Sequence, residues 1–175
     1  MKGARGGIAA LALLAVVACA RGPVLEGGAF RDPTRGWSIA APPAEWSVAH
    51  VKGADLTLRG PRGARMSLQV RCGVALAAPE VLARDLRIGI AASGLRDQRE
   101  VSIDGRPAWV QVFDVAPGES ESAVGVRVKA VTRTGARCVE DFVLVASGDW
   151  SALEPAFDAW WASFRAGPET ASAAQ

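Results

Sequence analysis

The fold is decided by the stretch Arg65-Met66-Ser67-Leu68-Gln69-Val70-Arg71-Cys72, in which polar and apolar residues alternate with a period of two. Successive side chains of a β-strand point to opposite faces, so this pattern predicts a strand with one buried face. Residues 108–115, 124–132 and 138–146 are similar strand candidates, and a turn at Thr134-Gly135 joins the last two. These four runs predict a largely antiparallel sheet.

Three shorter strands are predicted before residue 65. One begins at Gly36-Trp37 and stops at Pro42-Pro43, and two more are centred on residues 46–48 and 55–58. Asp104-Gly105 is a hairpin signal, because this dipeptide adopts the positive φ angles of a tight two-residue turn. The strands therefore fall into two groups, and residues 79–94 separate them.

Two helices complete the pattern. The first is predicted to open at Pro79, carry Leu82, Leu86 and Ile90 on one face, and close at Gly94. The second begins with Ser151-Ala152-Leu153-Glu154, which has capping-box spacing. Its apolar stripe consists of Leu153, Phe157, Trp160 and Phe164. The order strands, helix, strands, helix predicts an α+β sandwich in which two helices pack on the sheet.

The N-terminus has the features of an export signal. Lys2 and Arg5 precede an apolar run at residues 8–18, which is too short for the ~20 residues of a membrane-spanning helix. The run ends in Val16-Val17-Ala18-Cys19, which resembles the lipobox of bacterial lipoproteins. The resemblance implies cleavage before Cys19 and lipid attachment to its thiol, which tethers the protein to the bilayer. The alternative is an ordinary secretory signal with a chance cysteine.

The chain then divides into four parts. We predict a signal peptide at 1–18, a lipidated N-terminus and flexible tether at 19–29, one domain at 30–165 and a disordered tail at 166–175. Ala20 after the lipidated residue favours the outer membrane of a Gram-negative envelope, with the domain facing the periplasm. Without the leader, 18 basic residues balance 18 acidic ones, so the mature chain has no net charge that would attract nucleic acid.

Three landmarks resemble the PsbP-like family, whose fold occurs in a photosystem oxygen-evolution subunit and in many bacterial lipoproteins. They are residues 30–39 followed by Pro42-Pro43 and Trp46, the turn at residues 103–108, and the closing Ser163-Phe164-Arg165. These motifs mark strand ends, turns and a helix end. The resemblance therefore implies a PsbP-like sandwich that serves as an accessory or protein-binding domain, without a common cofactor or reaction.

Cys72 and Cys138 are candidates for a disulfide. Each shares the buried phase of its predicted strand, and antiparallel pairing of the two strands would bring them level. Closing this loop would stabilise the fold by roughly 4 kcal/mol in the chain-entropy model. Two buried free thiols are the alternative.

The remaining polar residues indicate no catalytic or metal site and no cofactor. His50 is the only histidine and is interpreted as a surface residue beside a turn. Glu140 and Asp141 are adjacent in a strand, so they face opposite sides and are interpreted as edge-strand charges. Glu119 and Glu121 lie in a predicted loop without calcium-loop spacing. Trp161 lies beside the apolar stripe and either closes the sheet edge or contacts a partner.

Three functional hypotheses remain from the sequence. The first is a non-catalytic accessory domain that binds another envelope protein from its lipid anchor. The second is a periplasmic hydrolase, for which the sequence shows no paired titratable groups. The third is a carrier of a small apolar ligand, which requires an enclosed apolar cavity.

Overall fold

The computed structural model describes residues 22–74, 76–88, 92–116 and 125–167. In this part of the chain the predicted α+β class is confirmed, with the predicted order strands, helix, strands, helix followed by one short final strand. The lipobox, the loop at residues 117–122 and the tail from Glu169 onward lie outside the described residues, so those predictions stay predictions.

The strands form two antiparallel sheets. The bounds of the first six are β1 (Val24–Glu26), β2 (Ala29–Asp32), β3 (Trp37–Ala40), β4 (Ser47–Ala49), β5 (Leu56–Arg59) and β6 (Arg65–Cys72). The others are β7 (Ala92–Ile103), β8 (Arg106–Val115), β9 (Val126–Thr134), β10 (Cys138–Ala146) and β11 (Arg165–Ala166). The seven-stranded sheet has the order β4-β5-β6-β10-β9-β8-β7, and the four-stranded sheet has the order β1-β2-β3-β11.

The two helices, α1 (Pro79–Asp85) and α2 (Trp150–Ala162), lie on opposite faces of the large sheet. The face towards α2 and the small sheet carries the main core, which includes Leu68, Val110, Phe142 and Phe157. Gln111 points the other way from Val110, and its amide donates to the Ala83 carbonyl on α1 at 2.6 Å. The molecule therefore has three layers, with the large sheet in the middle.

The first helix is shorter than predicted. It ends at Asp85, and Gly94 lies inside β7 instead of closing the helix. The physical reason is the hairpin at Asp104-Gly105, from which β7 and β8 pair back as far as Ala92 and Val115. This long-range pairing outweighs the helical periodicity that the sequence shows after Leu86.

The segment predicted as a tether contains a strand. Val24–Glu26 pairs with Ala29–Arg31 across a turn at Gly27 and Gly28, both of which have positive φ. Glycine adopts this conformation without strain, so the two residues allow the chain to fold back. The paired structure therefore starts at Val24 and not at Phe30.

Two local predictions near the C-terminus were also wrong. The N-cap of α2 is Asp149, without a side-chain cap, so Ser151 and Glu154 do not form a capping box. The Ser151 hydroxyl donates to Asp149, and Glu154 accepts from Lys129 and Trp150 instead. At the other end of α2 the chain continues into β11, where Ala166 pairs with Trp37 of β3, so residue 166 belongs to the sheet.

Candidate functional site

A cleft of about 460 Å³ opens at the end of the large sheet where β6 ends and β10 begins. We call it the disulfide cleft. Its described lining includes Arg35, Trp37, Val70, Cys72, Arg133, Gly135, Arg137, Cys138, Glu140 and Phe164. Strands of both sheets therefore contribute to it, and so does the residue that follows the C-terminal turn of α2.

The predicted disulfide between Cys72 and Cys138 is present and lines this cleft. The two residues are direct partners in the antiparallel register of β6 and β10, with Cα atoms 4.0 Å apart. The bond fixes the ends of these two strands, and hence one wall of the cleft.

Arg133 and Glu140 form a buried ion pair inside the cleft. They are direct partners on β9 and β10, Arg133 Nη1 lies 2.9 Å from Glu140 Oε2, and the side chains are only 3% and 5% exposed. Arg133 Nε also donates to the Ile103 carbonyl at 3.0 Å, and the guanidinium lies 5.4 Å from the centre of the Phe164 ring. Hydrogen bonds and an aromatic face thus hold the cation in place.

Burial raises the pKa of Glu140 to about 7, although the charge and hydrogen bond of Arg133 act in the opposite direction. The adjacent Asp141 adds a smaller upward effect. Burial therefore disfavours the charged form of Glu140 more than Arg133 favours it.

Two further residues shape the cleft. A Cβ atom at Gly135 would lie 3.3 Å from Glu140 Oε1 and 3.4 Å from Arg133 Nη1, so glycine keeps the space beside the ion pair open. Trp37 lies near Phe164, with ring centres 6.4 Å apart, and its buried indole N–H has no hydrogen-bond partner among the described residues. The cleft therefore combines an aromatic floor with unused hydrogen-bonding capacity.

The rim of the cleft is basic. Arg137 is exposed, and Arg35 pairs with Asp55 and donates to the Val70 carbonyl at 3.4 Å. Because Glu140 is paired with Arg133 and Arg35 with Asp55, it is Arg137 that presents a cationic group to an approaching molecule.

The interpretation of Glu140 and Asp141 as edge-strand charges was wrong. They do face opposite sides, but β10 lies in the centre of the sheet and both residues are buried. Asp141 accepts from the Thr132 hydroxyl at 2.8 Å and from Arg71 at 2.7 Å, on the face opposite Glu140. The reason for the error is strand order, which a single sequence does not reveal.

Other candidate residues lie apart from the cleft. His50 is exposed and lines a different groove, beside β4. Trp161 is 9% exposed, belongs to the core cluster and donates its indole N–H to Asp158 at 2.9 Å. It therefore offers little surface to a partner, and the packing role weighed for it is the one that the structure favours.

The sequence interpretation missed a second buried cation, Lys129 on β9. Its side chain is fully buried, and Nζ lies 2.7 Å from a carboxylate oxygen of Glu154 and of Asp158, both on α2. We call these three residues the lysine cluster. The alternation of β9 gave no signal for it, because Lys129 shares its face with Arg127, Val131 and Arg133, whereas the more apolar phase is that of Val126, Val128 and Ala130.

Within the described part of the chain, no group of three or more histidine, cysteine or acidic residues could hold a metal ion. No helix there is long and apolar enough to cross a bilayer.

Comparisons with known proteins identify the fold. No protein-family model matches the chain, and no curated protein matches it significantly. Among solved structures, cyanobacterial PsbP (CyanoP) from Synechocystis sp. PCC 6803 aligns with a TM-score of 0.58 at 19% identity, over 79% of this chain and 91% of that one.

Two other structures show the same likeness. LpqN, described as involved in cell envelope biogenesis of Mycobacterium tuberculosis, has a TM-score of 0.52 at 14% identity, over 83% of this chain and 90% of that one. A Bacteroides thetaiotaomicron structure has a TM-score of 0.57 at 15% identity, over 83% of this chain and 50% of that one. At these identities the likeness concerns the fold, and the predicted PsbP-like α+β fold is confirmed.

Proposed function

We propose that this chain is a lipoprotein of the cell envelope, anchored through Cys19, whose domain binds a partner protein in the disulfide cleft without catalysis. The observation that carries the proposal is the pairing of Glu140 with Arg133, because the carboxylate that lines the cleft is already engaged by a cation. The name of LpqN, with its link to envelope biogenesis, supports the envelope location. Ala20 favours the outer membrane, with the domain in the periplasm.

Partner binding fits the chemistry of the lining. Trp37, Val70 and Phe164 form the floor of the cleft, but they are core residues only 1–7% exposed, and Arg137 supplies the exposed charge at the rim. Arginine is one of the residue types that carry much of the energy in protein interfaces. The cleft therefore suits a partner segment that places a carboxylate beside Arg137. Attachment to the membrane raises the local concentration of such a binder, so modest affinity suffices.

The hydrolase hypothesis has one supporting feature, since a carboxyl with a pKa of about 7 suits general base catalysis. It also requires a nucleophile within hydrogen-bond reach of Glu140. The described residues that line the cleft offer few nucleophiles. Both cysteines are bonded to each other, and the side-chain hydroxyl belongs to Thr34. The carrier hypothesis requires an enclosed cavity, whereas the disulfide cleft is open to solvent. Binding of a protein surface is therefore the better supported role.

Site-specific photo-crosslinking tests the proposal. A photoreactive phenylalanine analogue replaces Arg137 at the cleft rim or, as the control, Arg96, which is exposed at the opposite end of the large sheet. We expect position 137, and not position 96, to capture one envelope protein in intact cells. The purified partner should then bind the wild-type protein and bind the Arg137→Glu variant at least several-fold more weakly.

Cys19→Ala separates the two parts of the proposal. It should release the protein from the membrane fraction and reduce crosslinking from position 137. Retention of this variant in the membrane fraction would refute the lipid anchor. Equal capture from positions 137 and 96, or unchanged affinity of Arg137→Glu, would refute binding at the cleft.

A further inference from the structure

A second surface with unexplained chemistry lies where the free edges of the two sheets approach each other. β1 is the edge of the small sheet and β4 is the edge of the large one, and a groove of about 630 Å³ runs between them. We call it the edge groove. Its described lining includes Val24, Leu25, Phe30, Val48, Val51 and Lys52.

The edge groove concentrates exposed aliphatic side chains. Val24, Leu25, Val48 and Val51 are 44–56% exposed, and they make up four of the nine large apolar residues that are exposed in the described part of the chain. Single exposed apolar residues are common, whereas a contiguous group marks contact with a protein or a membrane. The charges at this groove are few, because Asp55 pairs with Arg35 and Lys52 adds one exposed cation.

The length of chain between the edge groove and the proposed lipid indicates what occupies the groove. Gly22 lines the groove and is the third residue after Cys19, with only Ala20 and Arg21 between them. Three residues reach at most about 11 Å even when fully extended. A lipid on Cys19 therefore keeps the groove within about a nanometre of the bilayer surface.

We infer that the edge groove docks on the lipid bilayer, with its four exposed aliphatic side chains in the boundary between headgroups and acyl chains and Lys52 near anionic headgroups. This inference rests on the proposed lipid anchor at Cys19. The composition matches that of interfacial membrane contacts, in which apolar side chains and a cation act together. Docking fixes the orientation of the domain relative to the membrane. The opposite edge strand of the large sheet, β7, then faces away from the bilayer.

Fluorescence quenching by lipids tests this inference. The full-length protein carries Leu25→Cys or Val51→Cys, labelled with the environment-sensitive dye NBD, and is reconstituted into phosphatidylcholine–phosphatidylglycerol vesicles with nitroxide-bearing lipids. The matched control is Leu95→Cys on β7, because Leu95 is 46% exposed and Val51 is 45% exposed. We expect several-fold stronger quenching at positions 25 and 51 than at position 95. Val48 on β4 provides a third position if a label disturbs the fold.

Mass spectrometry and vesicle flotation come first, because they test lipidation separately. A protein that lacks lipid and does not float refutes the anchor, and with it the basis of the docking. A protein that floats, but whose labels at 25 and 51 are quenched no more than that at 95, refutes docking while the anchor stands. Labels that are shielded from aqueous iodide yet not reached by lipid-borne quenchers also refute it, and would indicate that an acyl chain of Cys19 or a second copy occupies the groove.

Discussion

Lys129 and Arg133 are two buried cations four residues apart on β9, on the same face of the sheet, but their counter-charges are placed differently. Lys129 is closed off by Glu154 and Asp158, whose side chains remain 34% and 36% exposed. Arg133 is paired with Glu140, which is nearly as buried as the arginine itself. In the lysine cluster only the cation is shielded from solvent, whereas Arg133 and Glu140 are both shielded.

This difference decides how each carboxylate titrates. Burial alone would raise the pKa of Glu154, but the hydrogen bond and charge of Lys129 outweigh it and lower the pKa. For Glu140, burial outweighs Arg133 and raises the pKa. The lysine cluster therefore fastens α2 to the sheet, and the indole N–H of Trp150 donates to Glu154 at 2.9 Å in support. The cleft pair instead leaves its carboxyl buried beside the site where we propose that a partner binds.

The largest effect is expected from removing the counter-charges of Lys129. The double substitution Glu154→Gln, Asp158→Asn keeps the shape of both side chains but leaves the ammonium buried without an anion. Breaking a buried ion pair in this way costs about 3–5 kcal/mol of the free energy of unfolding. Urea denaturation should show the loss as a lower midpoint at an unchanged slope.

A triple variant that adds Lys129→Met provides the control for this prediction. Replacing a whole buried charge cluster is often neutral, so the added methionine should restore most of the stability. If the triple variant is no more stable than the double variant, the loss comes from packing and not from charge. If the double variant loses less than about 1 kcal/mol, water compensates Lys129 and the cluster does not fasten the helix.

The second prediction concerns pH. A carboxyl whose pKa is raised in the folded state makes the folded protein bind more protons, so stability falls as the pH rises from 4.5, the ordinary value, to about 7. The contribution of Glu140 is thus present below pH 4.5 and is lost as the pH rises through about 7. It amounts to at most about 3 kcal/mol. Glu140→Gln should flatten the profile of unfolding free energy in this range.

In the same experiment, Glu154→Gln should change the pH dependence of the unfolding free energy in the opposite direction. The pKa of Glu154 is lowered, so its contribution is present above the ordinary value of 4.5 and is lost as the pH falls through the lowered pKa of the folded state. This variant should reduce the loss of stability in acid and leave the profile above pH 5 unchanged in shape. The comparison fails if both variants change the profile in the same direction.

The sequence predicted the parts of this architecture that depend on local pattern. The alternation around Cys72 and Cys138 identified both strands and their shared phase, and the disulfide followed from it. Asp104-Gly105 identified the longest hairpin, because its turn chemistry is local. The predicted end of α1 was wrong because strand pairing of β7 competes with helical periodicity. A single sequence does not show which of the two prevails.

The site was harder to predict because it depends on which strands become neighbours. Arg133 and Glu140 are seven residues apart and face each other only because β9 and β10 pair in this register. The partners of Lys129 come from a helix that starts 21 residues later in the chain. A usable signal does exist in the sequence for Glu140, which shares its phase of β10 with Phe142 and Leu144. Charges on the apolar phase of a strand should be searched for opposite charges on other elements before they are assigned to an edge.

The third prediction has the smallest expected effect and concerns an exposed ion pair. It provides a reference for the two larger effects on stability. Glu80 and Arg84 pair at i,i+4 on α1 with side chains 45% and 63% exposed. Surface pairs of this kind contribute about 0.3–0.5 kcal/mol and are screened by salt. Arg84→Gln should therefore lower the free energy of unfolding by no more than about 0.5 kcal/mol, and the difference should disappear in 1 M NaCl. The losses at Lys129 should persist at the same salt concentration, because buried charges are screened much less. If the loss caused by Glu154→Gln, Asp158→Asn also disappears in salt, solvent reaches the lysine cluster and the contrast between buried and exposed pairs does not hold.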